Sequence, residues 1–129
     1  MYYHVIFVVK CRQKVFLEGH DIINDAKEKF VEASLEFDVA VVEIECGIDH
    51  VHLLVEVRPT LSIPEWINSV KGVTSGFLRE KHDAFLRDTS WGDHSWSPSY
   101  FIATTGNVSV DVLKQYIEGQ RGRLASDDD

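Results

Sequence analysis

Val39-Ala40-Val41-Val42-Glu43-Ile44-Glu45-Cys46-Gly47-Ile48-Asp49-His50-Val51-His52-Leu53-Leu54-Val55-Glu56-Val57 reads as two strands joined by a tight turn. The first strand, Val39 to Cys46, alternates with Ala40, Val42, Ile44 and Cys46 on one face. Gly47-Ile48-Asp49 supplies the turn. The second strand runs from His50 to Val57 and stops at Arg58-Pro59, because proline cannot donate to a ladder. Successive strand side chains point to opposite faces, so Val51, Leu53, Val55 and Val57 enter a core while His50 and His52 share the other face.

The flanks complete an α+β pattern. Tyr2 to Val9 is rich in β-branched and aromatic residues and predicts a strand. Asp21 offers an N-cap to a helix whose apolar residues Ile23, Ala26, Phe30, Ala33 and Phe37 recur at three- and four-residue steps. Ser62 and Glu65 fit a capping box, with Pro64 tolerated in the first turn. Ile63, Trp66, Ile67, Val70, Phe77 and Leu78 form the buried stripe of that second helix. Residues 82–98 are polar and irregular, Tyr100 to Thr104 predicts a fourth strand, and Thr105-Gly106-Asn107 a turn. Ser109 to about Gln120 predicts a final helix. The order β-α-β-β-α-β-α fits a ferredoxin-like, RRM-like antiparallel sheet with helices packed on it, plus the C-terminal helix.

The 129 residues suffice for one core, so a single domain over 1–129 is expected. No apolar run is long enough to span a bilayer, and the start lacks a secretory pattern, so no membrane partner is expected. Cys11 and Cys46 have neither metal-site nor disulfide-framework spacing, which suits a reducing cytoplasm. Thirteen Lys and Arg face 21 Asp and Glu, for a net charge of −8. That balance argues against simple electrostatic binding of nucleic acid. The acid is uneven, however, gathering at Glu28, Glu32, Glu36, Glu43, Glu45 and the Asp127-Asp128-Asp129 tail. If the partner is nucleic acid all the same, so acidic a chain fits a halophile, where molar salt already screens phosphate, and its activity should persist near molar KCl.

His50-Val51-His52 is the sharpest local feature. Two same-face imidazoles roughly 6–7 Å apart at Cβ can converge on one divalent ion. Neutral imidazole suits Zn, Mn, Ni and Fe, and helps hold Mg²⁺ when phosphate oxygens complete the shell. A pair of solvated histidines on an open sheet face is the plain alternative. In the last helix, Tyr116 and Gln120 lie one turn apart. If their face meets the histidines, Gln120 supplies a third ligand and Tyr116 stands beside the ion.

Five ordered blocks then resemble one family. They are Tyr3-His4-Val5 with Lys10-Cys11-Arg12; Asp49-His50-Val51-His52-Leu53-Leu54; Lys71-Gly72-Val73-Thr74-Ser75; Trp96-Ser97-Pro98-Ser99-Tyr100-Phe101; and Tyr116-Ile117-Glu118-Gly119-Gln120. The chain is similar to the single-tyrosine HUH transposases of small insertion sequences, in which HUH stands for histidine-hydrophobic-histidine. The resemblance implies His50, His52 and Gln120 as metal ligands, Mg²⁺ or Mn²⁺ as the ion, and Tyr116 as nucleophile. It also implies single-stranded DNA with hairpin ends as substrate, and a homodimer that can exchange its C-terminal helices. The acidic surface and the stretch Cys11-Arg12-Gln13 depart from what relatives carry.

A phosphotyrosine would conserve the phosphodiester energy that strand transfer needs, dividing one exchange into two displacements. Lys10, Arg12, Lys71 and Arg79 are candidates for gripping backbone phosphate. Trp91, Trp96 and Tyr100 are candidates for stacking on bases, against a plain role in the core. Three rival readings carry different chemistry. One is a domesticated or inactive module that binds hairpins of single-stranded DNA without cutting them. Another is a nickase of the replication-initiator kind. The third is a metal-dependent hydrolase that uses water, which would leave Tyr116 without a role.

Overall fold

A computed structural model of the chain describes residues 1–87, 89, 91 and 95–104. Strands β1 (Tyr2–Val9), β2 (Ala40–Gly47), β3 (His50–Glu56) and β4 (Trp96–Thr104) form one antiparallel sheet in the order β2-β3-β1-β4. Helices α1 (Ile22–Leu35) and α2 (Ile63–Lys81) cover one face, and a short helix α3 (Asp83–Leu86) follows α2. This is the expected ferredoxin-like arrangement. The expected final helix, with Tyr116 and Gln120, lies outside the described residues.

The two central strands, β1 and β3, are buried almost throughout. They therefore read as near-continuous apolar runs. Val5, Phe7, Val9, Val51, Leu53 and Val55 join the helices in the main core, while His4, Ile6, Val8, His50, His52 and Leu54 are buried on the reverse face. Histidine is thus the only polar residue type buried within β1 and β3. Taking three imidazoles out of water needs compensation, which draws attention to that face.

Several expectations need correction in detail. The register of β2 against β3 slips between Val41 and Glu43, the mark of a bulge that reverses the alternation. Val41, Ile44 and Cys46 therefore pack on the helix-covered core, Val42 turns to Leu54, and Ala40 is exposed. Strand β4 begins at Trp96, four residues before the predicted start. Pro98 fits there because β4 is an edge strand and its missing N–H costs no ladder bond.

Neither predicted cap forms through the expected side chain. Asp21 makes no capping bond; Nδ1 of His20 instead accepts from the backbone N–H of Ile22 at 3.0 Å. Ser62 has the extended dihedrals of a cap but makes no side-chain cap bond.

The region 82–98 also holds more core than its polarity suggested. Leu86, Trp91 and Trp96 are buried, and Trp96 packs against Phe7, Phe16, Phe30 and Trp91 with ring centres 5.1 to 6.0 Å apart. Every indole N–H finds an acceptor on a helix: Trp66 on Ser34 Oγ, Trp91 on the Ser75 carbonyl and Trp96 on Thr74 Oγ1. Trp91 and Trp96 are therefore core residues, out of reach of a stacked base. Tyr100 remains exposed.

Candidate active site

His50 and His52 project from β3 to the reverse face with ring centres 4.7 Å apart. The sequence left open a solvated pair; burial rules it out, with 1% and 0% of the two residues exposed. His50 is held from two sides. Its Nδ1 lies 2.6 Å from Asp49 Oδ1. A carboxylate can only accept, so a neutral imidazole carries its proton on Nδ1 and leaves a lone pair on Nε2. That Nε2 is buried and has no hydrogen-bond partner among the described residues.

The second support is an absence of bulk. Across the turn, a Cβ at Gly47 would collide with Cε1 and Nε2 of His50. Only glycine leaves the ring its place. A buried, unpartnered imidazole nitrogen beside a second imidazole suits a divalent metal ion, and burial without one is costly. Among the described residues, no cluster of three His, Cys, Asp or Glu groups suited to a metal occurs. A full shell therefore needs donors beyond these, such as Gln120, or from a substrate. Tyr116 and Gln120 both fall outside the described residues.

His4 extends the row. It is buried on the same face, with its ring 5.8 Å from that of His52 and 5.6 Å from Phe101. Burial pushes its pKa below the usual 6.5. A neutral His4 places no cation beside His50 and His52. Because the folded value is depressed, the unfolded chain binds the proton first as pH falls, and stability should drop below about pH 6.5. Denaturant melts of metal-free protein at about pH 7.5 and about pH 5.5 would show this. His4→Phe should flatten the dependence; an unchanged slope would exclude His4 as a source.

The basic candidates separate. Arg12 Nε lies 3.2 Å from Asp49 Oδ2, so its charge is engaged at the site rather than displayed to solvent. Lys71 Nζ donates to the carbonyls of Ser97 and Pro98 at 2.9 and 3.4 Å, which ties α2 to β4. Burial lowers the Lys71 pKa. Arg79 Nη2 donates to Ser95 Oγ at 3.1 Å. Lys10 is half-buried in a 3-10 turn, Lys10–Arg12. The structure thus gives Arg12, Lys71 and Arg79 bonds within the chain, none of which a pattern of isolated basic residues reveals.

On the histidine face the two sheet edges differ. Glu45 pairs with His52 and Glu43 with Leu54 on β2, whereas Phe101 pairs with Ile6 on β4 and is exposed. One flank of the histidines is carboxylate and the other aromatic. Reasoning from the sequence missed Gly47, Asp49 and His4 as site residues. The available signals were an acid directly preceding the first histidine and a glycine three positions before it.

A ferredoxin-like sheet with a histidine-hydrophobic-histidine strand at its centre defines an HUH-type domain. The chain belongs to the IS200-like transposase family, whose model matches residues 1–120. It is 29% identical over 121 residues to the ISDra2 transposase TnpA of Deinococcus radiodurans, covering 94% of this chain and 84% of that protein. It is 28% identical over 119 residues to the IS200 transposase of Salmonella typhimurium, covering 92% and 75%. Among solved structures, a transposase candidate from Deinococcus radiodurans R1 matches with a TM-score of 0.73 at 27% identity, over 93% of this chain and 90% of that one. A REP-associated tyrosine transposase bound to a REP hairpin shares the fold, with a TM-score of 0.57 at 6% identity, over 91% and 62%.

Proposed function

We propose that this transposase cuts and rejoins single-stranded DNA through a 5′-phosphotyrosine at Tyr116, with a divalent ion held by His50, His52 and Gln120. The observation that carries the reading is the buried His50 Nε2, oriented by Asp49 and left without a hydrogen-bond partner among the described residues. Mg²⁺ or Mn²⁺ bound there would stabilise charge on phosphate oxygens and favour ionisation of a nearby phenol. Two imidazoles and an amide are neutral donors, so they would leave the ion's double charge undiminished.

The chain's own residues then have defined work. The Tyr116 oxygen bonds to the scissile phosphorus as the bond from phosphorus to the 3′-oxygen breaks. The phenolic proton passes to solvent, and the departing oxygen is protonated to a 3′-hydroxyl. A second 3′-hydroxyl reverses the step and joins a new strand. The neutral, buried His4 keeps that end of the site dry and uncharged. Hairpin-ended single-stranded DNA is the proposed substrate, a reading supported by the hairpin bound to the REP-associated transposase of the same fold. The edge strands β2 and β4 offer surfaces for a homodimer.

The test is a covalent trap. Labelled single-stranded DNA carrying a hairpin is incubated with protein and Mn²⁺, then resolved on a denaturing gel. A DNA–protein adduct that requires the metal is expected, and a chelator should abolish it. Cut DNA without linkage would mean water is the nucleophile. Binding without cutting would make the protein a hairpin-binding module.

A further inference from the structure

We infer that Asp49, itself held by Arg12, is a positioning residue that fixes the tautomer and aim of the His50 imidazole. The inference rests on the reading of His50 as a metal ligand and adds two residues to that site. The geometry is a chain of three groups. Arg12 Nε lies 3.2 Å from Asp49 Oδ2, and Asp49 Oδ1 lies 2.6 Å from His50 Nδ1. Each carboxylate oxygen therefore has a partner, so Asp49 acts through the histidine rather than as a ligand of its own. The carboxylate is nearly buried, with 9% of its side chain exposed. Little water competes for it, and the bond can select one ring orientation.

The backbone is built to bring Arg12 there. Val9 N–H donates to the Asp49 carbonyl at 2.9 Å, and the N–H groups of Val15 and Phe16 donate to the Ile48 carbonyl at 3.0 and 2.9 Å. The segment between these clamps turns back through Cys11 and Arg12, both left-handed with φ of 58° and 52°. Left-handed backbone costs a residue with a side chain roughly 1–2 kcal/mol. Two such residues in succession persist because the surrounding bonds impose them. The result lays the guanidinium against Asp49. Arg12, expected from sequence to grip phosphate, is spent on orienting His50 through Asp49.

Partners that orient a metal-bound histidine typically change metal affinity about 10–100-fold when removed. The whole protein, free of DNA and metal and labelled with ¹⁵N-histidine, gives the first readout, because ring ¹⁵N shifts report the tautomer. His50 should carry its proton on Nδ1 in the parent protein, and Asp49→Ala should yield a mixture. Mn²⁺ titration followed by electron paramagnetic resonance gives the second: Asp49→Ala should weaken binding about 10–100-fold, and Arg12→Gln severalfold. Asp49→Asn keeps an acceptor and should restore both the tautomer and most of the affinity.

An unchanged His50 spectrum and parental Mn²⁺ affinity in Asp49→Ala would overturn the inference, provided His50→Ala loses Mn²⁺. Parental Mn²⁺ binding in His50→Ala would instead overturn the assignment of His50 as a ligand. Should Asp49→Ala fail to fold, Arg12→Gln decides: an unaltered spectrum with unaltered affinity refutes the positioning role.

Discussion

Tyr116→Phe should eliminate the DNA–protein adduct completely while leaving hairpin binding within a few-fold of the parent. The substitution deletes one oxygen, the atom proposed to bond to phosphorus, and keeps the aromatic ring. A phenol with a reference pKa near 10 is about 4 kcal/mol from ionisation at pH 7, a gap that the proposed divalent ion would narrow. Phenylalanine offers no oxygen to ionise. The expected change is therefore from product to none, rather than a graded loss. Denaturing gels measure the adduct, and gel shifts in Ca²⁺ or chelator measure binding. An adduct surviving in Tyr116→Phe would assign the nucleophile to another side chain. Cutting that survives without an adduct would assign it to water.

Gly47→Ala should cost metal affinity out of proportion to its size. The added methyl would occupy the place of Cε1 and Nε2 of His50. Gly47 is not among the residues with positive φ, so alanine meets no backbone obstacle and the conflict is with the imidazole itself. A buried ring bonded to Asp49 cannot swing aside without giving up that bond. Overpacking of this kind costs about 1–3 kcal/mol, and a misdirected ligand about 10–100-fold in metal affinity. A double-mutant cycle isolates the cause: in a His50→Ala background, where the ring is gone, the stability cost of Gly47→Ala should vanish. Additive costs would show that Gly47 matters for the strand rather than for the histidine. Denaturant melts and Mn²⁺ titration supply both measurements.

These two predictions also separate the links of the argument. The first tests chemistry at a residue outside the described structure. The second tests packing that the described residues show directly. A site can be well formed on the sheet and still lack its nucleophile, which is the state a domesticated binding module would have.

Much of the protein was legible in the amino-acid order. Alternation over residues 50–57 put Val51, Leu53 and Val55 in the core and both histidines on the opposite face, because a strand's geometry admits no other outcome. The β-α-β-β-α-β order likewise leads to the observed sheet, and the helical stripe of Trp66, Ile67, Val70 and Leu78 is buried as its spacing demands. What misled was local exception. A bulge near Val42 reverses one strand's faces without a proline or a special glycine to announce it. The N–H of Ile22 bonds to the ring of His20 rather than to Asp21 beside it, and that ring also stacks on Phe85 at 4.2 Å. Trp91 and Trp96 sit among polar neighbours in sequence, yet close the core in space.

By itself the sequence determined the fold class and the shared face of the histidine pair, because periodicity is a property of local chain geometry. Only the tertiary structure decided that these imidazoles are buried, that Asp49 and Arg12 stand behind His50, and that Gly47 makes room for it. Burial and side-chain contact arise between segments far apart in the chain: Arg12 meets Asp49 across 37 positions, and Lys71 meets Ser97 across 26. No spacing rule carries that information, since it depends on how helices and strands close on one another.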